Sequence, residues 1–439
     1  MGNILLGILI AVELGFCVWN IVKRDFHTYE KSIVNIGLLL GLFMLSVTGI
    51  VDWSFRYYML GLVLLIQAAL AARKLYLIKR SKRKNSGTAD GKQTARIISK
   101  SVWRVVGKSI LYATALTLAI LCPQYKLVPQ TGSYTVATAI ATITDENRDQ
   151  PYGAEGKREV NVEFWYPENT GNGETYPLVL FSHGAYGVKL TNESLFRELA
   201  SHGYVVCSID HPYHSFFTVN DKKEVTIVSQ EYLSQYQEFA ATADPNVGYP
   251  YIREWMDIRT ADMELVLDSI LSDENIPGLT EIRGSIDMDT VIAAGHSMGG
   301  AAALSLGRSR EEIDAVIALE APYFGDIIGV EQDMFVWTDA DYPVPVLNIY
   351  SDSSWGSFSD SVTYTQNERM LQEDGTRNVH IEGTRHLGLT DLSLLCPMAV
   401  ELLDGEKSRR NPHEVLEEIN REVLDFLTEE GLENDSAGN

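Results

Sequence analysis

The sequence predicts an α/β fold, a mostly parallel sheet with helices on both faces, preceded by an all-α transmembrane region. Three observations carry that expectation. Residues 289–304 read as a short apolar run, a Gly-x-Ser-x-Gly turn and a small-residue helix start. Around them, strand-like runs alternate with helical patterns, the order that builds a parallel sheet covered on both sides. The first 126 residues, by contrast, hold apolar stretches of bilayer length and a basic cluster.

The turn is Gly295-His296-Ser297-Met298-Gly299-Gly300. A strand that ends, a sharp reversal and a helix that begins under the serine make the nucleophile elbow of an α/β-hydrolase fold. Gly295 and Gly299 flank a backbone expected to be strained at Ser297, where a Cβ on either side would collide with the neighbouring strand or helix. Met298 offers a backbone N–H at the helix N-terminus, where partial positive charge can meet a developing oxyanion.

Charge divides the chain. Residues 1–130 hold 17 Lys and Arg against 5 Asp and Glu, and the remainder holds 19 against 54. The acidic part argues against nucleic acid, because phosphate contacts need clustered Lys and Arg. Within the basic part, residues 4–22, 33–51 and 57–77 are apolar runs of about the 20 residues a bilayer needs, with Glu13 interrupting the first. The basic cluster at 79–84 belongs on the cytoplasmic side. A fourth run, 105–122, carries Lys108 near its start and is closed by Pro123. Four spans with the basic loop inside place everything after Pro123 outside the cytoplasm; without the fourth, that part lies inside. The expected organisation is a membrane region over 1–126, a catalytic domain over 127–430 and an acidic tail over 431–439.

After the linker at Pro129 and Gly132, strands are expected over 134–144, 159–166, 177–184, 204–209, 314–319, 344–350 and 378–381. Helices are expected over 195–201, 252–271 and 415–427, the second presenting Ile258, Ala261, Leu265 and Ile270 on one face. Residues 211–250 lack periodicity and read as an insertion or lid over the site. Of the four cysteines, Cys17 and Cys122 fall in apolar stretches and no C-x-x-C occurs, which leaves a Cys207–Cys396 bridge or two buried thiols. His211 and His214 form an H-x-x-H without a carboxylate motif beside it, so no metal and no cofactor are expected.

A serine hydroxyl attacks only when a base takes its proton, and the base needs an orienting carboxylate. In this fold the order is serine, acid, histidine. His380 sits inside a strand pattern and His413 opens the last helix, so His386, in the loop Gly383-Thr384-Arg385-His386-Leu387-Gly388, is the expected base. Two acids stand at strand C-termini, where α/β sheets build sites: Glu320 and, as the alternative, Asp352.

Phe181-Ser182-His183-Gly184, the elbow and His386-Leu387-Gly388-Leu389-Thr390-Asp391-Leu392 resemble the platelet-activating-factor acetylhydrolase group of α/β-hydrolases, as do Trp165-Tyr166-Pro167 and Ile209-Asp210-His211. The likeness covers residue 130 onward. It implies a triad acid after the strand that follows the elbow helix, hence Glu320, although the group usually has Asp there. It also implies an oxyanion hole from the N–H groups of Ala185 and Met298, with His183 structural. The resulting expectation is a multi-pass membrane protein with an extracytoplasmic serine esterase domain, acting on lipid or short-acyl esters through Ser297, His386 and Glu320. A polyester hydrolase, a non-catalytic receptor on the same scaffold, and a protein whose spans carry the function are the rivals. The sequence sets no oligomeric state.

Overall fold

A computed structural model of the chain describes all residues except 81–90, 169–172, 243, 273–274, 281 and 434–439. Most of the basic cluster and of the acidic tail therefore lies outside the described residues. The chain forms two compact units, Met1–Lys126 with Leu395–Ala399, and Leu127–Leu394 with Val400–Asn439.

In the first unit, α1 (Gly2–Lys23), α2 (Thr28–Val47) and α3 (Phe55–Arg80) are, among the described residues, the three helices long and apolar enough to cross a membrane. Their inner sides meet through Leu9, Leu42, Leu60 and Leu64, while Val18, Phe43, Val47 and Leu62 point outward. Glu13, which interrupts the first apolar run, is buried against Lys31 of α2. A carboxylate inside such a helix is tolerated when it is paired.

The fourth apolar run differs from expectation. It is split between α4 (Gly91–Ala115) and α5 (Thr117–Leu121), with a break at Leu116. α4 reaches back into the polar linker and carries Arg96, Lys100, Arg104 and Lys108. The uncharged stretch that remains, 109–121, falls short of the roughly 20 residues of a span. Of the two readings left for Cys207 and Cys396, the structure has two buried, free thiols and no bridge between them. Cys207 is buried in the sheet of the second unit, and in the first unit the Sγ atoms of Cys122 and Cys396 lie 2.7 Å apart, all four thiols being free.

The second unit opens with β1 (Val136–Asp149), β2 (Lys157–Pro167), β3 (Tyr176–Ser182), α6 (Glu193–Ser201) and β4 (Val205–Asp210). An insertion follows: the hairpin β5 (Phe217–Val219) and β6 (Val225–Ile227), then α7 (Gln230–Ala241) and α8 (Pro245–Leu271). Next come β7 (Ile286–His296), α9 (Met298–Ser309), β8 (Ala315–Leu319) and the hairpin β9 (Ile327–Glu331) and β10 (Met334–Trp337). The chain closes with β11 (Val346–Ser351), α10 (Thr365–Met370), β12 (Thr376–Ile381), α11 (Leu392–Leu395), α12 (Pro397–Asp404) and α13 (Pro412–Glu429).

Eight strands form one sheet in the order β1-β2-β4-β3-β7-β8-β11-β12. From β4 to β12 all neighbours are parallel, and β1 and β2 add an antiparallel edge. β3, β4, β8 and β11 are buried along their whole length, as parallel strands covered by helices must be. α8 and α9 pack together on one face, α6 and α13 on the other.

One face assignment is corrected. α8 buries Trp255, Arg259, Asp262, Val266 and Ile270, whereas Ile258, Ala261 and Leu265 are only partly buried. The apolar pattern alone does not find this face, because two of its buried positions, Arg259 and Asp262, are charged. Their partners are on distant segments: Asp262 meets Arg158 of β2 and His211 after β4.

Candidate active site

The register brings the C-terminal ends of five strands to one edge of the sheet. Ser182 lies beside Gly295, His296 beside Leu319, Leu319 beside Ile349, and Ser351 beside Ile381. Every candidate residue leaves the sheet just past that edge: Ala185 after β3, Ser297 after β7, Glu320 after β8, Asp352 after β11 and His386 after β12.

Ser297 occupies the turn between β7 and α9 at φ 55 and ψ −124, a conformation that L-residues rarely adopt. Such strain costs on the order of 1–3 kcal/mol and persists only where the surroundings over-determine it. Here the Ser297 N–H donates to the Leu319 carbonyl at 2.8 Å and its own carbonyl accepts the first bond of α9, from Ala301. The flanking glycines are needed for space. A Cβ on Gly295 would lie 2.4 Å from the Gly299 carbonyl carbon, and one on Gly299 would lie 2.0 Å from the Ser182 oxygen.

His386 begins a short turn after β12, its N–H donating to Ser353 Oγ at 3.0 Å. Its Nδ1 lies 3.4 Å from Glu320 Oε2. Glu320 is 1% exposed, and its two oxygens accept from Ser351 Oγ and Ser354 Oγ at 2.5 Å each. Burial pushes the Glu320 carboxyl up, but hydrogen bonding and charge from His386, with the two serines, outweigh it and leave the pKa below the usual range. For His386, burial pulls the imidazole down, and Glu320, together with the Asp404 carboxylate, more than reverses this to a net rise. The alternative acid is engaged elsewhere: Asp352 accepts from His380 Nε2 at 2.9 Å and from the Gly383 N–H at 3.1 Å.

Opposite Ser297 stands the loop after β3. A Cβ on Gly184 would sit 3.4 Å from Ser297 Cβ, so this backbone passes directly against the serine. Ala185 follows it, and Ala185 and Tyr186 pack on a cluster of Tyr232, Trp255, Met298 and Phe324 from the insertion, α9 and the loop after β8. Residues 156–438 match the family described as platelet-activating factor acetylhydrolase, isoform II. The chain belongs to that family.

Among curated members of the platelet-activating factor acetylhydrolases, the chain is 27% identical over 165 residues to the Bos taurus protein, covering 35% of this chain and 36% of that one. It is 22% identical over 276 residues to the Cavia porcellus protein, covering 58% and 57%. It thus spans between about a third and somewhat over half of these relatives' length. A ferulic acid esterase from Streptomyces cinnamoneus shares the fold, with TM-score 0.53, 19% identity, and 70% of this chain and 93% of that one covered.

Several residues beside the candidate triad of this acetylhydrolase-family chain take no role from the sequence alone, although His296 and Asp391 lie inside its motifs. His296 donates from Nε2 to the His386 carbonyl at 3.1 Å, and the two rings stand 4.6 Å apart. Burial, then the charge of His386, lowers its pKa to about 3, so it is neutral and fixed. Asp404 accepts the Leu387 N–H at 3.2 Å, and Asp391 accepts the Ser194 N–H at 2.7 Å, tying the histidine loop to α12 and α6.

The H-x-x-H histidines diverge. His211 donates from Nδ1 to Asp262 at 2.9 Å and takes Ser182 Oγ on Nε2 at 2.8 Å. That wiring copies a catalytic triad, yet all three side chains are fully buried or nearly so and Asp262 is shared with Arg158, so it anchors the sheet edge instead of meeting substrate. His214 stacks on Tyr232 and bonds Tyr152 at 2.6 Å. Among the described residues, no group of three or more His, Cys, Asp or Glu could hold a metal ion.

Proposed function

We propose that the protein is a membrane-anchored serine esterase that works through an acyl-enzyme on Ser297. The observation that carries the reading is the buried Glu320 paired with His386 at the same sheet edge as a strained serine. Ser297 Oγ attacks the ester carbonyl while its proton passes to His386 Nε2; Glu320 holds the Nδ1–H tautomer and stabilises the imidazolium. The N–H groups of Ala185 and Met298 receive the oxyanion. Collapse breaks the bond to the leaving alcohol, which departs with the proton from Nε2. Water then attacks the acyl carbon, His386 takes its proton, and the acid leaves as Ser297 regains its hydrogen.

The apolar surroundings of the oxyanion loop, where Ala185 and Tyr186 pack on the buried cluster of Tyr232, Trp255 and Phe324, favour a short acyl or lipid chain over a polar substrate. The printed name of the relatives, platelet-activating factor acetylhydrolase, makes that acetyl ester the first natural ester to test. A chain-length series of p-nitrophenyl esters on the full-length protein in detergent, with Ser297→Ala as control, tests the reading. Turnover that survives in the control refutes it.

Anchoring is proposed through α1, α2 and α3, on their length and apolar exteriors. With residues 79–84 on the cytoplasmic side, three crossings put the catalytic unit on that same side, which revises the extracytoplasmic expectation drawn from four spans.

A further inference from the structure

We propose that Arg259 is a positioning residue for the oxyanion hole, aiming the Ala185 N–H by holding the carbonyl at the other end of the same peptide bond. The proposal rests on the esterase reading above.

A trans peptide is planar, so the Gly184 carbonyl and the Ala185 N–H point in opposite directions. Whatever fixes the one aims the other. Three donors converge on the Gly184 oxygen: the Gly187 N–H at 3.0 Å, His183 Nδ1 at 2.7 Å and Arg259 Nη2 at 3.4 Å. Arg259 Nη1 also takes the preceding carbonyl, of His183, at 2.6 Å. One planar fork therefore grips two successive peptides of the loop facing Ser297, which a lysine cannot do.

The loop requires such restraint because of what stands at its centre. A Cβ on Gly184 would meet His296 Nδ1 at 2.8 Å, so close approach to the serine demands glycine. Glycine leaves the peptide free to rotate. A rotation that weakened the Ala185 donor would be felt in the transition state, where its bond counts most.

The bonding of Arg259 is otherwise hard to explain. Its side chain is fully buried on α8, and the hydrogen bonds given above, with one to His214 Nδ1 at 3.3 Å, all go to neutral acceptors. The carboxylate on the same helix face, Asp262, is bonded to Arg158 and His211. Burying a charge without a directly bonded counter-ion is costly, and an apolar side chain would fill the space without that cost. The guanidinium also polarises the Gly184–Ala185 peptide, which strengthens its N–H as a donor.

His183 is the second anchor. Burial, then the positive charge of Arg259, keeps its pKa well below the usual histidine range, so the ring is neutral. A carbonyl only accepts, so Nδ1 carries the proton and Nε2 accepts from Ser215 Oγ, at 2.7 Å.

The test uses full-length protein in detergent and the variants Arg259→Lys and Arg259→Gln. Three quantities are read: kcat and KM for p-nitrophenyl acetate, and the affinity of a trifluoromethyl ketone whose hemiketal oxyanion occupies the hole. Loss of one oxyanion donor costs about 10²–10³ in kcat, and a misaimed donor costs less. The expected result is a fall of roughly 10–100-fold in kcat, a KM changed by less than about threefold, and a ketone weakened by the same factor as kcat. A merely structural arginine lowers the melting temperature but leaves kcat per folded, titratable site and ketone affinity unchanged. That result overturns the proposal. Should both variants fail to fold, His183→Leu removes the other side-chain donor to Gly184 and must give the same matched loss, and its absence is equally fatal. Failure of the esterase reading is separate: wild-type protein then shows no Ser297-dependent turnover at all.

Discussion

Replacing Glu320 by Gln tests the triad where two acids compete. The carboxylate is 1% exposed and has three partners: Ser351 Oγ and Ser354 Oγ at 2.5 Å, and His386 Nδ1 at 3.4 Å. Gln keeps the shape but gives one of those positions an NH₂. If the amide nitrogen faces His386, it cannot accept from Nδ1–H, and the ring turns to the tautomer that cannot deprotonate Ser297. If the amide oxygen faces His386, the tautomer survives but the charge that stabilises the imidazolium is gone. The first outcome costs about 10⁴ in kcat by analogy with other serine hydrolases, and the second leaves part of that loss. Glu320→Gln is therefore expected to cost on the order of 10³–10⁴ in kcat. Asp352→Asn is expected to cost less than about tenfold, since Asp352 bonds His380 and the Gly383 N–H and acts on His386 only through the loop between them. The assay is p-nitrophenyl acetate turnover by purified variants with matched melting curves. The reverse ranking would move the acid to Asp352 and refute the argument from geometry.

Other outcomes are open to direct test. The net rise in the His386 pKa puts the acid limb of kcat/KM above the usual histidine value of about 6.5: activity requires the neutral imidazole and is lost as pH falls through the raised value. Asp404→Asn, by removing one charge that favours the imidazolium, should move that limb to lower pH, and a limb that stays in place contradicts the assigned cause. Gly299→Ala should destabilise the second unit by about 1–3 kcal/mol or more in denaturant unfolding, because the new Cβ would lie 2.0 Å from the Ser182 oxygen; wild-type stability would show the turn is looser than described. Reporter fusions at Ser86 and Gln130 read sidedness. Three crossings put both in the cytoplasm, and opposite signals mean that residues 105–121 also cross.

Much of the second unit was legible because its physics is local. Strands such as 178–181, 205–209 and 315–319 are buried on both faces and read as unbroken apolar runs. The elbow declares itself because only glycine fits beside Ser297. What escaped depends on distant partners or on weak turn chemistry. Arg259 and Asp262 are charged residues that an apolar pattern does not place, and the loop after β3, Arg158 and His211 make their burial tolerable. The β9–β10 hairpin turns on Gln332-Asp333, both at positive φ, where Asn-Gly would have been the recognisable signal. Inside 211–250, Ser229 caps α7 and Asp244-Pro245 starts α8, start signals that the missing apolar period concealed. The choice between Glu320 and Asp352 could not be read from strand ends, since both leave the same edge; their partners differ, Ser351 and Ser354 for Glu320 and His380 for Asp352.

The central claim is that Ser297 is an activated nucleophile. Active-site titration with a fluorophosphonate probe, read by intact mass and peptide mapping, addresses it without knowledge of the natural ester. The account predicts one probe per chain on Ser297, loss of all labelling in Ser297→Ala, and labelling slowed by Glu320→Gln more than by Asp352→Asn. No adduct on folded wild-type protein, or an adduct that persists in Ser297→Ala, would contradict it.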